Sequence, residues 1–383
     1  MKFQVEDLKK VVSLNNSIIG NNNLRKEGPL SNLIFIIREG KLYTLAQGSK
    51  NLSTLALMIE VGDTEEPAGV YAIDGGKFNK TLGECVDEVE LNFIKDESTR
   101  VQVVELKTEF GTVKFNTYLV EDTSQDTRFG EILPQLLELR NETQATGHVV
   151  NKDVWEHSLK IVGVTKEEEF VQNAFVFEPD LVGINLAHMK LRYRAELPYN
   201  FSAELDVVKV MAQMLSMSED DTRSQVIDEP RSAKFVYTSG PVFLMVQGVT
   251  TQPTRIKDMT WNQDPEFTGA VNLEQLRQQI RISNIFIEDN SQIVLDLDFE
   301  NQEMRVKNEG VNIDNQSGIN TKLVFHHNGV SDKVRSIGVH GPMLLKQLAY
   351  TEDELVNFEI IEDKRLLHVT FSEGDLYVYY SPK

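Results

Sequence analysis

Few of the side chains able to do covalent or metal chemistry stand at a spacing that such chemistry can use. The run Gly75-Gly76-Lys77-Phe78 has the lysine of a phosphate-binding loop, but it lacks the upstream glycine and the following hydroxyl residue that would reach a magnesium ion. Asp296, Asp298 and Glu300 begin the ladder of a calcium loop, which then fails at the glycine required for its sharp turn. His326 and His327 are adjacent, so they cannot share one helical face, and no His-x-x-x-His spacing points to zinc. A Gly-x-Ser-x-Gly elbow is missing, and the acidic runs Glu167 to Glu169 and Glu219 to Asp221 read as solvated turns. The chain reads as a non-enzyme, with no catalytic residues, no metal and no cofactor.

What recurs is cationic and lies on helices. Asp7 to Leu14 sets Leu8, Val11 and Val12 against Lys9, Lys10 and Ser13, and Gly76 to Cys85 turns Phe78, Leu82 and Cys85 inward and Lys77, Lys80 and Thr81 outward. Asp153 to Val162 offers Trp155, Leu159 and Val162 to a core and Glu156, His157 and Lys160 to solvent. Glu204 to Leu215 is nearly all apolar apart from Asp206, Lys209 and Gln213. Asn272 to Ser283 places Leu273, Leu276 and Ile280 opposite Glu274, Arg277, Gln278 and Arg281, and Pro342 to Ala349 is a short apolar helix carrying Lys346. Bases spaced along helix faces attract the phosphates of a duplex without reading its sequence. Singly, each is an ordinary solvated residue; the recurrence is what points to a polyanion.

Between the helices run short segments of alternating apolar residues: Leu33 to Ile37, Leu42 to Ala46, Val101 to Leu106, Val113 to Leu119, Ala233 to Tyr237, Val242 to Val246, Ile293 to Leu297, Leu366 to Phe371 and Leu376 to Tyr380. These spacings predict antiparallel strands, and so few helices among so many strands argue against a doubly wound nucleotide-binding sheet. The order of elements repeats three times, giving an α+β chain of three similar domains, 1–124, 125–255 and 256–383, each with two helices on antiparallel sheets. Glu121 to Gly130, polar and turn-rich, and Gly248 to Trp261, with Pro253, read as the linkers. Glu131 to Leu139 fits a short amphipathic helix for which this scheme has no place.

A length of 383 residues suits two or three domains, and 40% hydrophobic with 26% charged residues suits a folded chain. The single cysteine, Cys85, excludes an intramolecular disulfide and fits a reducing compartment, with the cytoplasm as the expectation. The segment Met1 to Leu14 lacks the apolar core of a signal peptide, and no stretch is apolar enough to span a bilayer as a helix. A net charge of −20 argues against nucleic acid only if it is spread evenly. Screening over about 10 Å allows a basic surface to coexist with an acidic one.

Three segments of the last third, VNLEQLRQQIRISN (Val271 to Asn284), GVHGPMLLKQL (Gly338 to Leu348) and GDLYVYYSPK (Gly374 to Lys383), resemble in order and spacing the bacterial sliding clamp, the beta subunit of the replicative DNA polymerase. The opening MKFQVEDLKKVV, GPLSNLIF (Gly28 to Phe35) and GKLYTLAQGSKN (Gly40 to Asn51) are similar to that family's first domain, and the middle third is the least similar. The resemblance implies three clamp domains per protomer and a head-to-tail homodimer closed into a ring around double-stranded DNA. Its implied partners are the replicative polymerase and a clamp loader. The divergent middle and C-terminus fit a viral member, working in a host cytoplasm.

Under this resemblance Lys9, Lys10, Lys77, Lys80, Lys160, Lys209, Arg277, Arg281 and Lys346 line the DNA hole, and Arg25 and Lys26 match a DNA-contacting loop at its mouth. A partner peptide would enter a pocket of Leu186, His188, Lys190, Leu191, Pro253, Ile256, Val378 and Tyr380. Val113, Phe115 and Ile282 take the positions of the ring interface. The family's Met-Pro-Met-rich ending is replaced here by Tyr379-Tyr380-Ser381-Pro382-Lys383, which should reshape the pocket. The competing reading is a β-rich repeat protein of a structural or interaction kind, such as a virion or surface component, that binds no DNA. It accounts for the strands and the acidity but not for bases recurring on the helices.

Overall fold

The alternating segments form strands, and every described strand pair is antiparallel. The computed structural model describes the chain apart from residues 20–31, 51–52, 97–100, 118–122, 165–174, 186–188, 214–221, 229–232, 250–264, 287–291, 309–318, 326–333, 350 and 363–364. The chain divides into two interleaved units, Met1–Trp155 with Phe201–Gln252, and Glu156–Asn200 with Pro253–Lys383.

The first unit holds a four-stranded sheet in the order β1 (Lys2–Gln4), β6 (Glu88–Asp96), β7 (Val101–Thr108), β8 (Gly111–Asn116). It also holds an eight-stranded sheet in the order β5 (Gly69–Ile73), β2 (Leu33–Arg38), β3 (Lys41–Lys50), β4 (Ser53–Asp63), β16 (Val242–Val249), β15 (Ala233–Ser239), β14 (Arg223–Asp228), β9 (His148–Val149). Glu39 and Gly40, both left-handed with φ of 53° and 74°, turn β2 into β3. That is the turn whose twist suits a two-residue hairpin.

Period two sorts the side chains of β2 to opposite faces. Leu33, Phe35 and Ile37 enter a core with Leu8 and Val12 of α1 (Val5–Ile19), Phe78 and Leu82 of α2 (Gly75–Gly83), and Leu91, Phe93, Val104 and Leu106 of the four-stranded sheet. Ile34 and Ile36 enter a second core on the other face, under Leu133 and Leu136 of α3 (Thr123–Thr146). A strand covered on both faces has no polar alternation, which is why Leu33 to Ile37 is apolar throughout.

Helix α3 corrects two expectations. The segment Glu121 to Gly130, read as a turn-rich linker, is helical from Thr123, and the short helix expected over Glu131 to Leu139 is the middle of a 24-residue one. Pro134 lies inside it and removes the donor that would reach the Gly130 carbonyl. Strand β13 (Phe201–Ala203) and helix α5 (Leu205–Gln213) complete this unit, with the Phe201 ring stacked on Phe235 at 4.8 Å.

In the second unit twelve strands follow one another in the order β10 (Phe175–Glu178), β11 (Leu181–Asn185), β12 (Met189–Arg194), β24 (Gly374–Tyr379), β23 (Leu366–Phe371), β22 (Leu355–Ile361), β17 (Phe267–Asn272), β20 (Ile319–Phe325), β19 (Glu303–Asn308), β18 (Ile293–Asp298), β21 (Val334–Val339), β25 (Ser381–Pro382). Helices α6 (Leu273–Asn284) and α7 (Gly341–Leu348) pack together, burying Leu273, Leu276, Ile280, Leu344 and Leu348. Side chains cap both: Asn272 accepts from Gln275 N at 3.0 Å and His340 Nδ1 from Met343 N at 3.2 Å.

Helix α4 (Lys152–Val164) begins in the first unit and runs into the second. Its buried stripe is Val154, Trp155, Ser158 and Ile161, so the expected outward and inward positions are partly exchanged. His157 is buried, stacked on Tyr193 at 4.7 Å, whereas Leu159 is 42% exposed.

Candidate nucleic-acid interface and partner pocket

The helix pair α1 and α2 carries Lys9, Lys10, Lys77 and Lys80, of which the last three are exposed and Lys9 is half-buried. Lys9 lies 3.7 Å from Glu6, Lys10 4.0 Å from Asp7 and Lys77 3.6 Å from Asp74. Exposed pairs of this kind are worth about 0–1 kcal/mol and are screened by salt, so a phosphate can take the place of the carboxylate. The pair α6 and α7 repeats the arrangement: Lys346 is exposed, and Arg281 reaches Glu274 at 3.3 Å.

Three other predicted bases have different surroundings. Arg277, with its side chain 14% exposed, donates from Nε to the Leu348 carbonyl at 3.1 Å and from a terminal nitrogen to the carbonyls of Leu348 and Thr351. It satisfies the orphan acceptors at the end of α7, where a cation also suits the helix dipole. Lys160 is held by Glu373 at 2.6 Å and lies 5.7 Å from the centre of the Tyr193 ring. Lys209 is half-buried on α5. Arg25 and Lys26 lie outside the described residues.

Of the predicted pocket, Leu186, His188, Pro253 and Ile256 lie outside the described residues. Strands β12 and β24 bring the others together, pairing Met189 with Val378, Lys190 with Tyr377 and Leu191 with Leu376. Leu191 and Val378 are buried strand residues. Tyr380 is buried too, which pushes its hydroxyl up to about 12, and its backbone N–H donates to the Arg365 carbonyl at 2.9 Å. Lys190 is half-buried; burial, with Arg192 nearby, pushes its ammonium below the usual range.

Beside these residues lies a polar cluster that sequence reasoning missed. Arg192 forks onto Asp375, with Nε 2.6 Å from Oδ1, and donates to the Tyr377 hydroxyl at 3.1 Å. His368 sits between Glu359 at 2.9 Å and Asp375 at 3.3 Å, and its ring stacks on Tyr377 at 4.1 Å. Burial opposes charge on both His368 and Asp375, but their ionic hydrogen bonds outweigh it, holding the imidazole above and the carboxylate below its usual range. The signal was present as polar residues at alternate positions, Lys190 and Arg192, His368 and Thr370, Asp375 and Tyr377, on strands otherwise apolar.

Of the predicted interface residues, Val113 is exposed on β8, which ends the four-stranded sheet, and Ile282 is half-buried near the end of α6. Phe115, two residues on and so on the same face of β8, is buried instead, 5.1 Å from the Phe78 ring in the core. Sequence reasoning passed over Phe110, 84% exposed at the β7–β8 turn, and Ile285 and Phe286, exposed just beyond α6. Apolar residues that no core explains are what such surfaces are built from.

Among the described residues no group of three or more His, Cys, Asp or Glu side chains is placed to hold a metal, and no helix is long and apolar enough to cross a membrane. Asp298 instead closes the β18–β19 turn, accepting from Glu300 N at 3.1 Å and Asn301 N at 2.9 Å.

No family model and no curated protein matches the sequence. Solved structures do match. The DNA polymerase sliding clamp of Pseudomonas aeruginosa superposes with a TM-score of 0.71 at 13% identity, covering 100% of this chain and 99% of that one. The DNA polymerase III beta subunit of Thermotoga maritima gives 0.73 at 11% identity, again over 100% and 99%. The Helicobacter pylori beta clamp, solved with a DNA ligase peptide bound, gives 0.70 at 11%, over 100% and 99%. From end to end, the chain carries the fold of the DNA polymerase III beta-subunit sliding clamps.

Proposed function

We propose that the protein is a DNA sliding clamp, a non-enzymatic processivity factor that encircles duplex DNA without sequence preference and tethers a replicative polymerase to it. The observation that carries this reading is the coincidence of fold over 99–100% of both chains with proteins that are themselves sliding clamps. In this reading the chain is three clamp domains, 1–124, 125–255 and 256–383, and two protomers close head to tail. The edge of β8, with Phe110 and Val113, meets the surface at the end of α6, with Ile282, Ile285 and Phe286. Lys9, Lys10, Lys77, Lys80, Arg281 and Lys346 then face the phosphates, and a clamp loader opens the ring. The Helicobacter pylori clamp holds a ligase peptide, which supports a peptide-binding role, and in this reading the surface near β12 and β24 takes the peptide. The interior of the host or cell where DNA is copied is the compartment this function requires.

The test is topological. Rings closed by chemical cross-linking in the presence of nicked circular duplex should stay bound at about 1 M salt, where exposed charges no longer attract each other over distance, and should be released when the DNA is cut open. Retention that is equal on linear DNA, or particles without a central hole in negative-stain electron microscopy, would overturn the proposal.

A further inference from the structure

Strands β4 and β16 pair from Thr54↔Gln247 to Ile59↔Val242, although they come from distant parts of the chain. Helix α3 lies across this seam. The cluster around its buried Leu133 and Leu136 draws Ala56 and Met58 from β4, Tyr43 and Leu45 from β3, and Val236 and Phe243 from β15 and β16, so one apolar contact spans both sides. Polar anchors follow the same path. Arg140 donates to Glu60 of β4 at 2.8 Å and to the Gly240 carbonyl, in the β15–β16 turn, at 3.3 Å. Glu60 also holds Lys41 at 2.6 Å, and Gln225 of β14 donates to Thr143 of α3 at 2.8 Å. On the opposite side of the helix Gln135, Glu138, Asn141 and Gln144 are exposed and polar, so its described contacts are all toward the sheet.

We infer that α3 is a strap that fixes the β4–β16 seam, with Arg140 as its positioning residue, and that releasing the strap loosens the seam without unfolding the rest of the unit. The helix has the properties this needs. Pro134 interrupts its hydrogen-bond ladder, so its own propensity is weak and its order comes from what it grips. The anchor is the Arg140–Glu60 pair, with Arg140 well shielded and Glu60 held by two cations at once. Under the clamp reading the strap would direct any flexing of a ring to other junctions; the strap itself stands without that reading.

Hydrogen exchange followed by mass spectrometry on the full chain tests it. Arg140→Ala should speed exchange of the β4 and β16 amides by about tenfold or more while β6 and β7, in the same unit but the other sheet, keep their wild-type rates. Arg140→Lys, which keeps one charge but cannot fork between Glu60 and Gly240, should give a smaller change at the same strands. Unchanged exchange at the seam in both variants, or acceleration spread equally over β6 and β7, would overturn the inference. Neither result depends on ring closure or DNA, so the clamp proposal stands or falls separately.

Discussion

A raised histidine and a lowered aspartate make the cluster at β12, β23 and β24 sensitive to pH in opposite directions. A group whose pKa is raised by folding contributes stability that is complete below its unfolded value, 6.5 for His368, and is lost as pH climbs through the folded value. Asp375 contributes above its unfolded value, 3.8, down to its lower folded value, and loses that contribution as acid titrates it. His368→Gln should therefore lower stability by about 1–3 kcal/mol near pH 6, by thermal or urea unfolding, and the gap to wild type should narrow as pH rises above the unfolded value and through the raised folded one. A gap independent of pH would mean the ring acts by packing alone. Arg277 and Arg281 separate in the same way. Arg277→Glu removes the donor that serves the carbonyls of Leu348 and Thr351 and should cost about 1–3 kcal/mol, whereas Arg281→Glu should change stability by less than about 0.5 kcal/mol. Both arginines share one helix face in the sequence. Only the fold reveals that the carbonyl of Leu348, 71 residues on, lies within reach of the first.

Among the elements, nine of the described strands, β2, β3, β7, β8, β15, β16, β18, β23 and β24, and six of the seven described helices were legible, because each shows a clear period of two or of three to four; the other described strands were not singled out. The exceptions have physical causes. Helix α3 carries Gly130 and Pro134, residues that ordinarily end helices, so its first half read as a linker. In α4 two stripes fit the spacing equally, Trp155 with Leu159 and Val162, or Val154 with Ser158 and Ile161; the second is buried, with Trp155 kept beside it, although this buries a serine and brings His157 against Tyr193. Ile161→Ala should thus cost about 2–5 kcal/mol in chemical unfolding, and Leu159→Ala less than about 0.5 kcal/mol. Equal costs would show that the helix turns differently in solution.

At the scale of the whole molecule, a chain of net charge −20 still gathers exposed bases on two helix pairs, α1 with α2 and α6 with α7. Reversing Lys10, Lys80, Arg281 and Lys346 to glutamate should leave the circular-dichroism spectrum unchanged and abolish the salt-dependent binding of the uncross-linked protein to short linear duplex at low ionic strength. Unchanged binding would remove the helices from the DNA interface. The exposed edge of β8 gives a second test: Phe110→Ser with Val113→Glu should leave the protomer folded and shift it to monomer in analytical ultracentrifugation. The basic faces could be read from the sequence because spacing alone defines them. The seam between β4 and β16 could not, since nothing in the residues from Ser53 to Asp63 says that their neighbours lie beyond position 240.

That seam has a consequence for how the protein is made. Strand β4 leaves the ribosome about 180 residues before β16 (242 − 63), and at about 5–20 residues per second it waits about 10–40 s for its partner. During that interval Leu55, Ala56, Leu57, Met58 and Ile59 lie at an open sheet edge, the kind of surface on which nascent chains aggregate. The yield of folded protein should therefore depend on chaperone supply and on translation speed between codons 64 and 249, long before any property of the finished molecule matters.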